Sequence, residues 1–174
     1  MKIPTPEKTT ITIDDLNTNR TSYMLSKIYG EYICNISENL PHINIRPHNF
    51  YGPRMGFNDG RVISNFISQA LTNLPLTIYG DGNQTRSFLY IDECIEGTIR
   101  LMRSGLEGPF NIGSEEMISI NELTNLIAKI SKKKIFIKNI DGPQGVRGRN
   151  SDNSLIREKL NWAPSEKLEK GLIK

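Results

Sequence analysis

The apolar positions of this chain alternate between two periods. Over residues 20–38, Leu25, Ile28, Tyr29, Tyr32 and Ile36 recur every three or four positions, which predicts an amphipathic helix. Gly30 falls inside it. Glycine there costs roughly 1 kcal/mol against alanine, so a close packing contact is expected. Residues 1–19 are polar, with Thr9-Thr10-Ile11-Thr12 and Asp14-Asp15, and read as a loop feeding the helix. Pro41 closes the helical segment, Ile43-Asn44-Ile45-Arg46 reads as a short strand, and Asn49-Phe50-Tyr51-Gly52-Pro53 turns the chain. A second helix follows Gly60, with Ile63, Phe66, Ile67, Ala70 and Leu71 at helical spacing.

Leu76-Thr77-Ile78-Tyr79 is the next strand, Gly80-Asp81-Gly82-Asn83 a turn, and residues 85–91 another strand, so the pair reads as a hairpin. Asp92 is placed to cap a third helix carrying Ile95, Ile99 and Met102. Phe110-Asn111-Ile112-Gly113 is extended. Ser119-x-x-Glu122 matches a capping box ahead of Leu123, Leu126, Ile127 and Ile130. Ile135-Phe136-Ile137 is strand-like, residues 141–150 form a loop, and Asp152 is expected to cap a last helix bearing Leu155, Ile156 and Leu160. Strands and helices alternate without a repeat, so the class is α/β.

Composition adds little and excludes much. A chain of 174 residues with 37% hydrophobic and 24% charged residues fits a globular domain. The net charge of +3 is spread among 19 acids, which argues against a nucleic-acid partner. The basic run Lys132-Lys133-Lys134 suits a helix C-terminus. Two cysteines, Cys34 and Cys94, are too few for a metal cluster or a disulfide framework. No apolar run reaches 18 residues and Met1-Lys2-Ile3-Pro4 does not open a signal peptide, so no membrane partner and a cytoplasmic location are expected.

The candidate chemistry begins at Tyr23 and Lys27. At i, i+4 on a helix their side chains share a face, and an ammonium beside a phenol favours the phenolate. Five arginines, Arg54, Arg61, Arg86, Arg147 and Arg149, fall in loop or turn contexts. Their planar forks match a diphosphate, although surface arginines are commonly solvated. Gly80-Asp81-Gly82 is a turn and not a dinucleotide fingerprint, which needs Gly-x-Gly-x-x-Gly between a strand and a helix.

Tyr23-x-x-Ser26-Lys27 resembles the Tyr-x-x-x-Lys pair of the short-chain dehydrogenase/reductase family, and the runs after it resemble its extended, nucleotide-sugar-modifying branch. Asn49-Phe50-Tyr51-Gly52-Pro53 is similar to that branch's turn after the Tyr–Lys helix, which implies that Asn49 reaches sugar or phosphate. The run from Gly80 through Arg86 to Phe88, with Tyr90-Ile91-Asp92, resembles its phosphate-binding strand and implies that Arg86 clamps the diphosphate.

Pro143-Gln144-Gly145-Val146-Arg147-Gly148-Arg149-Asn150-Ser151-Asp152-Asn153 resembles GDP-mannose 3,5-epimerases, which implies a substrate contact for Arg149; an Arg149–Asp152 pair steadying the loop is the alternative. Gly52-Pro53-Arg54-Met55 and the run 58–66 are more similar to UDP-glucuronate decarboxylases, and Arg61 there joins the expected substrate site. Ile63 stands where the 3,5-epimerases carry a catalytic lysine, and an isoleucine cannot move a proton.

The resemblance implies NAD as cofactor, held at Tyr23 and Lys27, and a nucleotide-diphosphate sugar as partner. It also implies the C-terminal part of a Rossmann-type fold. Residues 1–55 would be the last segments of the NAD-binding domain and 56–174 mainly the substrate lobe, with 84–104 returning to the first. Relatives carry a glycine-rich NAD site before the tyrosine, so an N-terminal half is expected to be missing and NAD binding by this chain alone is in question. A homodimer is implied for the full-length enzyme, with Tyr29, Tyr32 and Ile36 serving that interface or the core. The alternatives are a decarboxylase-type enzyme and a non-catalytic, nucleotide-sugar-binding half of a split enzyme.

Overall fold

In the computed structural model of the chain, the apolar side chains gather in two clusters on opposite faces of residues 88–90. Phe88 and Tyr90 join one cluster and Leu89 the other, as the two-residue period of an extended chain requires. The model describes residues 3–13, 15–18, 20–37, 39–57, 59–142 and 145–174. The readings that touch Met1, Lys2, Asp14, Asn19, Glu38, Asn58, Pro143 and Gln144 lie outside them.

The elements run α1 (Thr21–Ile36), β1 (Asn44–Pro47), β2 (Phe50–Tyr51), α2 (Val62–Leu71), β3 (Leu76–Tyr79), β4 (Thr85–Ser87), β5 (Leu89–Tyr90), α3 (Ile91–Met102), β6 (Pro109–Ile112), β7 (Met117–Ser119), α4 (Ile120–Ser131), β8 (Ile137–Ile140), β9 (Gly148–Arg149), α5 (Ser154–Leu160) and α6 (Leu168–Ile173). The fold is α/β. Parallel pairs join β1 to β6, β2 to β5 and β3 to β8, and a three-stranded sheet runs β7-β4-β9. The first cluster packs α2 and α4 over β3 through Ile63, Phe66, Ile78, Leu123 and Ile127. The second packs α3 and α5 against β6 through Leu101, Phe110, Ile112 and Ile156. No helix of the described residues is long and apolar enough to cross a membrane.

Several expectations need correction. Residues 80–83 do turn the chain, but β3 and β4 do not form a hairpin; each pairs with strands distant in sequence. The strand expected over 85–91 breaks at Phe88, and Ile91 already opens α3, whose N-cap is Tyr90. Asp92 therefore sits in the first turn, where its charge suits the helix N-terminus, and does not cap it. Asn153, not Asp152, precedes α5, although the Asp152 carboxylate accepts the Ser154 N–H at 2.9 Å. The strand expected at 135–137 lies at 137–140, and nothing approaches within 4 Å of a Cβ built on Gly30.

Local signals fared better where they needed no distant partner. The capping box is complete: the Ser119 N–H donates to Glu122 Oε2 at 2.7 Å and the Glu122 N–H to Ser119 Oγ at 3.1 Å. Lys132 ends α4 in the left-handed conformation, and Lys133 Nζ donates to the last carbonyls of α2 at Ala70 and Leu71.

Helix α1 is the outlier. Of its residues only Thr21 is buried, while Tyr29 is 64% and Tyr32 54% exposed, with Leu25, Ile33 and Ile36 exposed beside them. The apolar stripe is real but uncovered, so Tyr29, Tyr32 and Ile36 are not core residues of this chain. An Arg46–Glu31 ion pair and an Asn44 Nδ2–Asn35 Oδ1 bond of 2.9 Å tie the helix to β1. Strand β1 pairs on one side only among the described residues, with β6.

Candidate functional site

The first turn of α1 is held by one buried threonine. Thr21, 4% exposed, donates from Oγ1 to the Asp15 carbonyl at 2.7 Å, and its N–H donates to the Thr18 carbonyl at 3.0 Å. Tyr23 and Lys27 then project from the open side, with Tyr23 65% exposed and Lys27 Nζ 5.4 Å from the centre of its ring. The i, i+4 spacing delivers the proximity that the sequence predicts.

Strand β4 is the centre of the phosphate-binding candidate. Arg86 pairs in parallel register with Arg149 of β9, and residues directly opposite on neighbouring strands share a sheet face. Two like charges side by side oppose folding unless something compensates them. Arg149 makes no ion pair among the described residues. A third guanidinium joins them. A Cβ built on Gly145 would lie 3.3 Å from an Arg86 Nη and 3.8 Å from an Arg20 Nη, so both side chains flank that glycine. Gly145 has φ +71°, a conformation that also favours glycine. Burial, then the charges of Arg149 and Arg20, push Arg86 below the usual guanidinium range.

The segment behind Arg149 is fixed by a buried amide. Asn153, 1% exposed, accepts the Gly113 N–H at 3.1 Å and donates to the Gly113 carbonyl at 2.6 Å, while Ser151 Oγ donates to its Oδ1 at 2.9 Å. This two-way lock joins the end of β6 to the start of α5 and sets the register of β9.

The other sequence candidates have partners of their own. Arg61 pairs with Asp59 at 2.7 Å and lies over the Phe50 ring, 5.7 Å from its centre, while its neighbours Gly60 and Val62 line the same pocket as Arg86. Arg147 pairs with Asp81 at 2.9 Å, and Arg54 lines a different cleft of ≈ 230 Å³ together with Tyr51 and Ile63. Asn49 Nδ2 donates to the Ser87 carbonyl at 3.1 Å, which ties the turn to β4. Next to it, burial and the nearby Arg149 and Arg46 hold His48 below its ordinary value, so its imidazole is neutral at pH 7.

Arg20 was missed because its place beside Arg86 comes from the path of residues 15–20, and no local pattern encodes that path. Arg86 also borders a pocket of ≈ 170 Å³ lined by Asn65 and Phe66 of α2, Thr77 and Tyr79 of β3, and Gln84. Gln84 Nε2 donates to the Tyr79 carbonyl at 3.1 Å, and its buried Oε1 has no hydrogen-bond partner among the described residues.

Residues 2–113 match the sequence model of the NAD dependent epimerase/dehydratase family. The chain is 45% identical over 157 residues to a GDP-mannose 3,5-epimerase of Arabidopsis thaliana, covering 87% of this chain and 42% of that protein. It is 43% identical over 128 residues to UDP-glucuronic acid decarboxylase 6 of the same plant, covering 73% of this chain and 37% of the other. The structure of UDP-glucuronic acid 4-epimerase from Bacillus cereus, solved with UDP-glucuronic acid and NAD, superposes with a TM-score of 0.80 at 30% identity, over 97% of this chain and 55% of that one. The chain thus spans about two fifths of the length of these curated relatives. With its tyrosine–lysine helix, parallel strand pairs and arginine-lined sheet face, the chain belongs to the NAD dependent epimerase/dehydratase family.

Proposed function

We propose that this chain is the substrate-binding and proton-transferring part of an NAD-dependent nucleotide-sugar epimerase or dehydratase, which begins by oxidising the sugar at C4. The observation that carries the reading is the in-register pair Arg86–Arg149, two residues directly opposite on neighbouring strands whose side chains leave the same sheet face. Such a pair suits a diphosphate, whose oxygens accept charge-assisted bonds from both forks. The ≈ 170 Å³ pocket beside Arg86 then takes the nucleoside, and Gln84 Oε1 is the acceptor available for a base N–H.

Tyr23 takes the proton of the sugar hydroxyl, with the Lys27 ammonium 5.4 Å from the centre of its ring. NAD, when bound, supplies the hydride acceptor. Of the residues present, Tyr23 and Lys27 would hold its nicotinamide-ribose end, with the lysine ammonium as donor to the ribose hydroxyls. The described residues offer no glycine-rich strand-to-helix turn for its pyrophosphate. Residues 1–55 would close the NAD-binding domain and 56–174 form mainly the substrate lobe, with 84–104 packing back on the first. Supporting that return, Leu89, Cys94 and Leu101 share a cluster with Ile43 and Ile45 and not with α2 and α4.

The test is calorimetric titration with UDP and GDP. Arg86→Ala is expected to weaken diphosphate binding by about 1.5–3 kcal/mol, the loss of a charge-assisted bidentate contact. Equal affinity in the two proteins would remove Arg86 from the site.

Ile63 bears on the product. It is 2% exposed in the apolar cluster of α2 and cannot exchange a proton. Decarboxylation or inversion at one centre is expected of the complete enzyme, and 3,5-epimerisation is not. Proton NMR after incubating GDP-mannose in deuterated buffer checks this; label at both C3 and C5 would defeat it.

A further inference from the structure

We infer that Arg46 is a positioning residue for the Tyr23–Lys27 pair. From β1 it grips both Glu31, one turn beyond Lys27, and the strap formed by residues 5–7, and so sets where α1 lies against the sheet. The inference rests on the reading of Tyr23 as the proton-transferring group and adds the residue that places its helix.

The guanidinium works as a two-sided clamp. Arg46 Nε donates to Glu31 Oε2 at 3.0 Å and Nη2 to Glu31 Oε1, so the carboxylate meets the full fork. The remaining Nη1 donates to the Glu7 carbonyl at 3.0 Å. Both side chains are partly buried, with Arg46 30% and Glu31 24% exposed, whereas a surface pair such as Lys129–Glu169 is 71% and 45% exposed. Water screens the first pair less, so it holds its geometry where the second contributes little.

The strap is itself fixed to the sheet. The Thr5 carbonyl accepts from Asn111 Nδ2 at 3.0 Å and from the Asp152 N–H at 3.3 Å, and the Glu7 carboxylate accepts the Asn111 N–H at 2.9 Å. Asn111 in turn lies opposite Arg46 in the β1–β6 register. Arg46 therefore joins α1 to a strap seated on β6 and on the segment that follows Arg149.

Helical spacing gives the clamp its consequence. Tyr23, Lys27 and Glu31 stand at i, i+4 and i+8 of α1, one above another on successive turns. Buried Thr21 fixes the start of the helix and the clamp fixes its third turn, with Tyr23 and Lys27 between the two. Packing adds little restraint, because Leu25, Tyr29, Tyr32, Ile33 and Ile36 are exposed. Further along, Asn35 accepts from Asn44 Nδ2, a neutral bond between exposed groups. With the clamp broken, the helix pivots about Thr21 and carries the phenol and the ammonium away from the sheet.

The experiment reads the helix in the 174-residue chain and the chemistry in its complex with an NAD-binding half from a relative. Arg46→Ala, Glu31→Ala and the double variant are each expected to speed hydrogen exchange of the α1 amides about tenfold, the double no more than the singles, since all three break one shared contact. In the complex, kcat counted per bound NAD should fall about tenfold while KM for the nucleotide sugar stays unchanged, because the substrate contacts remain and the reacting groups are misplaced. Arg46→Lys keeps the charge without the fork and recovers only part of the loss. Where Arg46→Ala does not fold, Arg46→Gln, which retains a donor for the Glu7 carbonyl, carries the same comparison. Unchanged α1 exchange, additive effects of the two single variants, or a wild-type kcat per bound NAD overturns the inference. Near-normal kcat in Tyr23→Phe overturns instead the reading beneath it.

Discussion

Replacing Tyr23 by phenylalanine will lower turnover by about 10²–10⁴-fold, the usual range for a proton-transferring side chain, in any assembled form of this protein that carries a complete NAD site. The affinity for the nucleotide sugar should hardly change. Tyr23 is 65% exposed on α1, and its phenol is not among the groups gathered around Gly145. With the proposed role in proton transfer, the loss is expected on kcat and not on KM. Lys27→Met should reproduce part of the defect, because it removes the ammonium 5.4 Å from the ring centre. Steady-state kinetics decide the matter. A Tyr23→Phe protein with near-normal kcat would mean that another group takes the proton.

The second large effect concerns the chain by itself. At micromolar concentration it should self-associate and show no tight NADH binding, and an added NAD-binding half should correct both. The cause is the surface of α1. Leu25, Tyr29, Tyr32, Ile33 and Ile36 form a contiguous exposed apolar stripe of the kind that drives association. Beside it, β1 pairs only with β6 among the described residues and presents a strand edge. Size-exclusion chromatography of the chain alone is expected to give an apparent mass well above its 19.7 kDa, falling to one heterodimeric species when an N-terminal half from a relative is co-expressed. Fluorescence titration with NADH supplies the other arm. A monodisperse monomer that binds NADH at micromolar concentration by itself would sink the half-enzyme reading.

What could be read from the sequence divides by the range of the interaction. The α/β class, the period of each long helix, the capping box at Ser119 and Glu122 and the meeting of Tyr23 with Lys27 depend on residues within about four positions of each other. A helix realises such contacts wherever it is placed, so they were legible without coordinates. The separation of the arginines was not. Arg61, Arg86, Arg147 and Arg149 look alike in sequence. Aspartates claim Arg61 and Arg147, while the β4–β9 register places Arg86 against Arg149.

That register depends on a lock between Asn153 and Gly113, forty residues apart, and the arrival of Arg20 depends on the path of a loop. The hairpin expected at residues 80–83 failed for the same reason, since β3 and β4 each found a better partner far along the chain. Helix α1 shows the converse: its pattern foretold an apolar face, but only the tertiary structure could say that the described residues leave it exposed. Periodicity specifies which side of an element seeks burial, whereas the neighbour that buries it is set by packing among distant segments.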